Sequence, residues 1–166
     1  ASMLLGPVLD SFRSASILKN LHSLHIRIQK HSANALLLAQ TLEAQGVKVH
    51  YPGLPSHIDH ELLKSLMNPG YGFGGMLVID AGDTATGNRL MELMQAEKVG
   101  YLAVSLGYFK TLFSAPGSST SSEIPADERQ AMGLSDGLVR ISVGLDHDMT
   151  RSIERIQSCL KQVELL

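Results

Sequence analysis

Gly137-Leu138-Val139-Arg140-Ile141-Ser142-Val143-Gly144 sets one guanidinium inside an otherwise apolar run. The alternation and the richness in Val, Leu and Ile predict a strand over residues 138–143. An arginine in such a strand must pair, because an unpaired buried charge is expensive. Two partners are open. One is an internal carboxylate, with Asp136 a near candidate. The other is a ligand carboxylate, which the planar fork of arginine suits better than a lysine would.

Downstream, Ile153, Ile156, Leu160 and Val163 recur at helical spacing and predict a closing helix from Asp148 to Leu165. Upstream, Val47–Tyr51, Met76–Asp80 and Val99–Val104 read as three more strands. Between them, Ser56 is the N-cap of a short helix through Leu66, and Thr84 to Glu97 is a helix with Leu90, Leu93 and Met94 inward. Residues 117–122 form a Ser/Thr/Gly loop, and Pro125 to Met132 a short helix. This order predicts an α/β fold of the two-layer α+β sandwich kind, with a small, mostly antiparallel sheet of about four strands against helices.

The first segment differs from the rest. Val8, Leu9, Phe12, Ala15, Leu18, Leu21 and Leu24 recur at three- and four-residue steps, and the pattern resumes from Ile28 through Leu42 to a stop at Gly46. Pro7 suits a first helical turn, and a kink is expected near Leu21–Ile26. A helix of nearly 40 residues would reach about 55–60 Å, beyond a domain whose radius of gyration should be roughly 15 Å. Residues 1–45 are therefore expected to be a long interdomain helix leaning on a partner domain or subunit, with residues 46–166 the small domain proper.

Bulk properties exclude several classes. The 166 residues are 44% hydrophobic and 18% charged with net charge −2, which leaves no electrostatic case for nucleic acid or an anionic membrane. No apolar stretch approaches a bilayer span, and the N-terminus does not read as a signal peptide. The single cysteine, Cys159, excludes an internal disulfide, lies on the apolar face of the last helix, and makes a reducing, cytoplasmic setting the expectation.

Other motifs are weaker. Gly70-x-Gly72-x-x-Gly75 formally matches a dinucleotide fingerprint, but a strand follows it where a helix is required. The glycines are expected to allow close packing before that strand. His57, Asp59 and His60 do not converge as metal ligands on one turn, so capping and surface roles are expected and no metal site. Ser118–Ser122 lacks the strained turn of a serine hydrolase.

The Gly137–Gly144 stretch resembles the C-terminal G-L-V-R-x-S-V-G signature of the Cys/Met-metabolism enzymes that use pyridoxal 5′-phosphate (PLP), the γ-family of fold-type I. Further matches run in the same order. Leu24-His25-Ile26-Arg27-Ile28-Gln29-Lys30-His31 with Asn34-Ala35 resembles L-x-L-R-x-x-x-H-x-x-N-A. Tyr51-Pro52-Gly53-Leu54-Pro55-Ser56-His57 with His60 resembles Y-P-G-L-x-S-H-x-x-H, and Ala103-Val104-Ser105-Leu106-Gly107 resembles A-x-S-L-G. Within the family, Gly70–Gly75 and Ser105–Tyr108 are similar to the methionine γ-lyase branch. Cystathionine-cleaving members often carry Glu where Val104 stands. The common T-H-S loop reads Thr120-Ser121-Ser122 here, a departure.

The resemblance implies the C-terminal domain of a PLP-dependent carbon–sulfur lyase that takes methionine to 2-oxobutanoate, ammonia and methanethiol. Arg140 would hold the substrate α-carboxylate, Ser105 would support it, Val104 would line the side-chain pocket and Thr120 would border the active-site loop. It also implies that the Schiff-base lysine, the other PLP-binding residues and the catalytic groups lie on a separate N-terminal PLP domain. None of them is expected in this chain, which alone should neither hold PLP covalently nor turn over substrate. A homo-oligomer is implied as well. The rival expectations are a cystathionine γ-lyase or γ-synthase domain, or a non-catalytic interaction or oligomerisation module with the same fold.

Overall fold

The computed structural model describes residues 8–118, 128 and 135–166. The Pro7 turn, the Ser119–Ser122 part of the serine-rich loop and all but Glu128 of the predicted Pro125–Met132 helix lie outside the described residues, and so does Thr120. The N-terminal periodic run is two helices, α1 (Ser11–Leu21) and α2 (Leu24–Glu43), separated at His22–Ser23. Asp10 opens α1 by accepting the Arg13 amide at 2.9 Å, which satisfies an amide that has no partner within the helix.

The two helices are used differently. On α1 no residue is buried and Phe12 is 90% exposed. On α2 the burial is confined to the second half of the pattern and the residues just before it, with Ala35, Leu38, Ala39 and Leu42 fully enclosed. Apolar spacing alone made both look alike, but only α2 has a sheet to lie on.

The sheet has five strands, β1 (Val49–His50), β2 (Met76–Asp80), β3 (Tyr101–Leu102), β4 (Leu112–Ser114) and β5 (Leu138–Ser142), in the order β1-β2-β5-β4-β3. All neighbours are antiparallel except β3 and β4. The expectation of about four strands missed β4, a three-residue strand too short to show a period of its own. The remaining helices are α3 (His60–Leu66), α4 (Thr84–Ala96) and α5 (Met149–Gln162). Asp83 caps α4 and Asp148 caps α5 through their carboxylates. The expected Ser56 cap is not formed. α3 begins after Asp59, and the Ser56 hydroxyl donates to Glu43 instead.

Helices α2 and α4 lie on one face of the sheet, and α5 packs against both of them. Leu77 and Ile79 of β2, Phe113 of β4, and Val139 and Ile141 of β5 meet Leu38, Leu42, Leu90, Met94, Ile156 and Leu160 there. Each fully buried side chain of this size contributes about 1.5–3 kcal/mol by leaving water, so this layer is where the fold's stability resides. Cys159 is part of it, and burial, with Glu97 adding to the effect, pushes its thiol up to about 11. The glycine-rich run before β2 packs against α2. A Cβ at Gly72 would sit 2.7 Å from that of Ser32, and one at Gly75 would sit 2.9 Å from that of His31.

Candidate functional site: the open face of the sheet

Side chains alternate across a strand, so β5 sends Val139 and Ile141 to the helices and Leu138, Arg140 and Ser142 to the opposite face. The pairing register extends this row. Arg140 stands opposite Val78 of β2 on one side and Ser114 of β4 on the other, and Val78 stands opposite His50 of β1. His50, Val78, Arg140 and Ser114 thus share one line across the sheet. The Oγ of Ser114 and the Nε2 of His50 are buried without a hydrogen-bond partner among the described residues.

Over this face runs the segment that links β3 to β4. Arg140 Nη2 donates to the carbonyl of Val104 at 3.0 Å and to that of Ser105 at 3.5 Å. Its partners here are main-chain dipoles, and Nε and Nη1 have none among the described residues. The Ser142 hydroxyl accepts the Gly107 amide at 3.0 Å, and Gly107 turns the chain with φ of 70°. Arg140 and Ser142, two residues apart on one strand, therefore pin the same loop at two points. Gly144 closes the arrangement. A Cβ there would lie 2.6 Å from the Thr111 nitrogen, so only glycine lets Leu145 donate to the Phe109 carbonyl at 2.9 Å.

Beside the pinned loop lies a cavity of about 400 Å³, lined by Tyr101, Ala103, Ser105, Tyr108 and Leu112. This volume is in the range of small-molecule sites, which are mostly apolar with few directing polar groups. Val104, Leu106, Tyr108 and Phe109 are all exposed although large and apolar. Of the residues singled out in the sequence, Arg140, Val104 and Ser105 come together, and Ser105 lines the cavity. Thr120 lies outside the described residues. Sequence reading missed Ser142, Ser114, Tyr101 and Tyr108. The first two were legible only through period-two alternation on strands whose partners are far away in sequence.

The histidines take structural positions. His57 Nδ1 accepts the Asp59 amide at 3.1 Å, and His60 Nδ1 meets the Pro52 carbonyl at 2.8 Å while its ring stacks on Phe73. Among the described residues no three His, Cys, Asp or Glu side chains converge on one point. Asp80 is the buried carboxylate of the open face. Burial by itself would raise it, but Lys48, the Ser135 hydroxyl and the Gly82 amide more than offset this and hold it below the usual carboxylate range.

The family model for Cys/Met metabolism PLP-dependent enzymes matches residues 1–156. Methionine gamma-lyase of Arabidopsis thaliana is 43% identical over 143 residues, which is 86% of this chain and 32% of that protein. Cystathionine beta-lyase of Coxiella burnetii is 36% identical over 86% of this chain and 36% of its own length. The chain thus spans about a third of the curated relatives it matches. A solved structure described as an O-acetylhomoserine (thiol)-lyase of Campylobacter jejuni, bearing a pyridoxyl-lysine phosphate, superposes with TM-score 0.77 at 31% identity. It covers 87% of this chain and 34% of that one.

The lysines test whether this segment carries the cofactor's anchor. A Schiff-base lysine works from a desolvated pocket that lowers its pKa. Six of the seven lysines here are exposed and Lys30 is half-buried, while Lys48 and Lys64 are paired with Asp80 and Glu61. These side chains do not fit covalent attachment of PLP. The chain belongs to the Cys/Met-metabolism family of PLP-dependent enzymes.

Proposed function

We propose that this chain is the substrate-binding domain of a PLP-dependent carbon–sulfur lyase acting on methionine, cytosolic and completed by a PLP-holding domain. The observation that carries the proposal is the Arg140 guanidinium. It is fixed at Nη2 by the carbonyls of Val104 and Ser105, with the rest of its fork facing away from the core. A guanidinium held at one corner is preorganised for bidentate contact with a carboxylate. Val104 would face the thioether tail, Ser105 would support the carboxylate, and Thr120 would border the loop. By this reading the isolated chain is inactive, because the lysine and the proton-transfer groups belong to the other domain. Among the described residues no helix is long and apolar enough to cross a membrane.

The test is an assay of the protein encoded by the full reading frame, with methionine, homocysteine and cystathionine as substrates. Methionine should release 2-oxobutanoate, and Arg140→Lys should raise KM far more than it lowers kcat. Turnover of cystathionine alone would replace the substrate assignment. An Arg140→Lys variant with unchanged KM would overturn the clamp. Borohydride treatment of this chain with PLP should fix no cofactor on its lysines, and specific labelling of one of them would sink the division of labour. The exposed Phe12 face of α1 is proposed to pack against that partner domain or a second subunit. Phe12→Glu should then reduce association of the chain in sedimentation.

A further inference from the structure

A second cavity, of about 410 Å³, lies between the end of α4, the start of α5 and the residues before β4. Four cations line it, Lys98, Lys110, Arg151 and Arg155, against two carboxylates, Asp146 and Asp148. Both carboxylates are turned onto neutral donors. Asp146 Oδ2 accepts the Ser152 hydroxyl at 2.8 Å, and Asp148 Oδ1 accepts the amides of Thr150 at 3.1 Å and Arg151 at 3.5 Å. Among the described residues none of the four cations is in an ion pair. Lys110 instead lies over the Phe109 ring, 5.7 Å from its centroid.

Two further features mark the cluster. Arg151 and Arg155 are one helical turn apart on α5, so their guanidinium groups share one face. Lys98 follows the end of α4 with φ of 56°, in the left-handed region where a helix usually ends on glycine. A lysine therefore stands where the backbone favours glycine, and its side chain lines the cavity.

We propose that this cavity binds a small anion bearing a polyphosphate group. Paired arginines present bidentate donors to phosphate oxygens, two lysines add point charge, and the volume suits a nucleotide-sized ligand. Tyr101 is a wall of this cavity and of the one beside the pinned loop. The pinned loop begins directly after β3, so an anion held here bears on residues 103–107. The anion site stands on its own geometry; only the consequence for substrate binding rests on the reading of Arg140.

The experiment is a titration of the whole ¹⁵N-labelled chain with sodium tripolyphosphate at low salt, followed through backbone amide shifts, with ATP in a parallel arm. Saturable shifts are expected at Lys98, Lys110, Arg151 and Arg155, with the Gly107 amide moving along the same curve. The double variant Arg151→Gln/Arg155→Gln should weaken binding about tenfold or more, and added salt should weaken it as well. Lys98→Gln gives a second, milder loss should the double variant not fold, and Lys64→Gln, on α3, should change nothing. Equal affinity for both probes assigns recognition to the phosphates, whereas tighter binding of ATP adds contacts to the nucleoside. The proposal is overturned by the absence of saturation below about 10 mM, by shifts spread equally over Arg13 and Lys64, or by a double variant that binds unchanged. Saturation with a stationary Gly107 amide would overturn the link to the loop.

Discussion

The two faces of β5 carry different properties. Val139 and Ile141 are fully buried against the helices, and their environment is apolar on every side. Arg140 and Ser142, interleaved with them, face the loop between β3 and β4, where Nη2 of the first and the hydroxyl of the second hold it. Because the period of a strand is two, a five-residue segment can serve the core and a ligand without mixing their demands. The prediction is that stability and recognition separate residue by residue along β5.

The largest effect should come from the core face. Ile141→Ala removes a fully enclosed side chain at the centre of the sheet, and should cost about 2–5 kcal/mol in chemical denaturation. The polar face should keep its contacts in whatever fraction remains folded. A loss well under that range would mean that the helices collapse onto the gap, and the contrast between the faces would weaken.

Asp80 is where the contrast blurs, since it is a buried charge on the open face, opposite Leu138. Asp80→Asn should lower stability at neutral pH by about 1.5–3 kcal/mol, the range for hydrogen bonds to charged groups. The sign with pH follows from a folded pKa held below the usual carboxylate value. The contribution is present above the unfolded pKa and is lost as pH falls through the folded one. Urea midpoints measured into the acid range should therefore drop more steeply for the parent chain than for the variant. Parallel curves would remove Asp80 from the acid response.

The Ser142 tether is smaller. Ser142→Ala leaves the strand intact but removes the acceptor of the Gly107 amide, at a cost of about 0.5–1.5 kcal/mol. Its signature is local. Hydrogen exchange at Gly107 should accelerate while the Ile141 amide stays protected. Equal acceleration at both would show that Ser142 serves the sheet and not the loop.

What could be read in advance divides along the same line. Strands β2 and β5 and helices α2, α4 and α5 announce themselves through runs of apolar residues at one period, because their partners are uniformly apolar. Strand β4 is three residues long and hides inside a connection. Arg140 stood out because a cation interrupts an apolar run. Its actual partners, two main-chain carbonyls more than thirty residues away, have no sequence signal at all. Ser142 was equally silent, since a serine in a strand looks the same whether or not a distant amide needs it. The separation of α1 from the core was legible only as excess length, because apolar spacing does not show what a helix will meet.

The smallest effect on stability should belong to the residue with the largest effect on binding. Arg140 is half-exposed, and its bonds to the carbonyls of Val104 and Ser105 can be replaced by water. Arg140→Gln should therefore shift stability by no more than about 0.5 kcal/mol. In the protein from the full reading frame, the same change removes the bidentate fork and should cost at least about tenfold in affinity for an amino-acid carboxylate. Arg140→Lys keeps the charge without the planar fork, and should restore only part of that loss. Ile141→Ala has the reverse profile, large in denaturation and small in affinity. Two adjacent residues with opposite profiles would establish that β5 keeps its two tasks on two faces. If Arg140→Gln instead destabilised the chain as much as Ile141→Ala, the guanidinium would be a structural strut for the loop, and its role as a carboxylate clamp would fall.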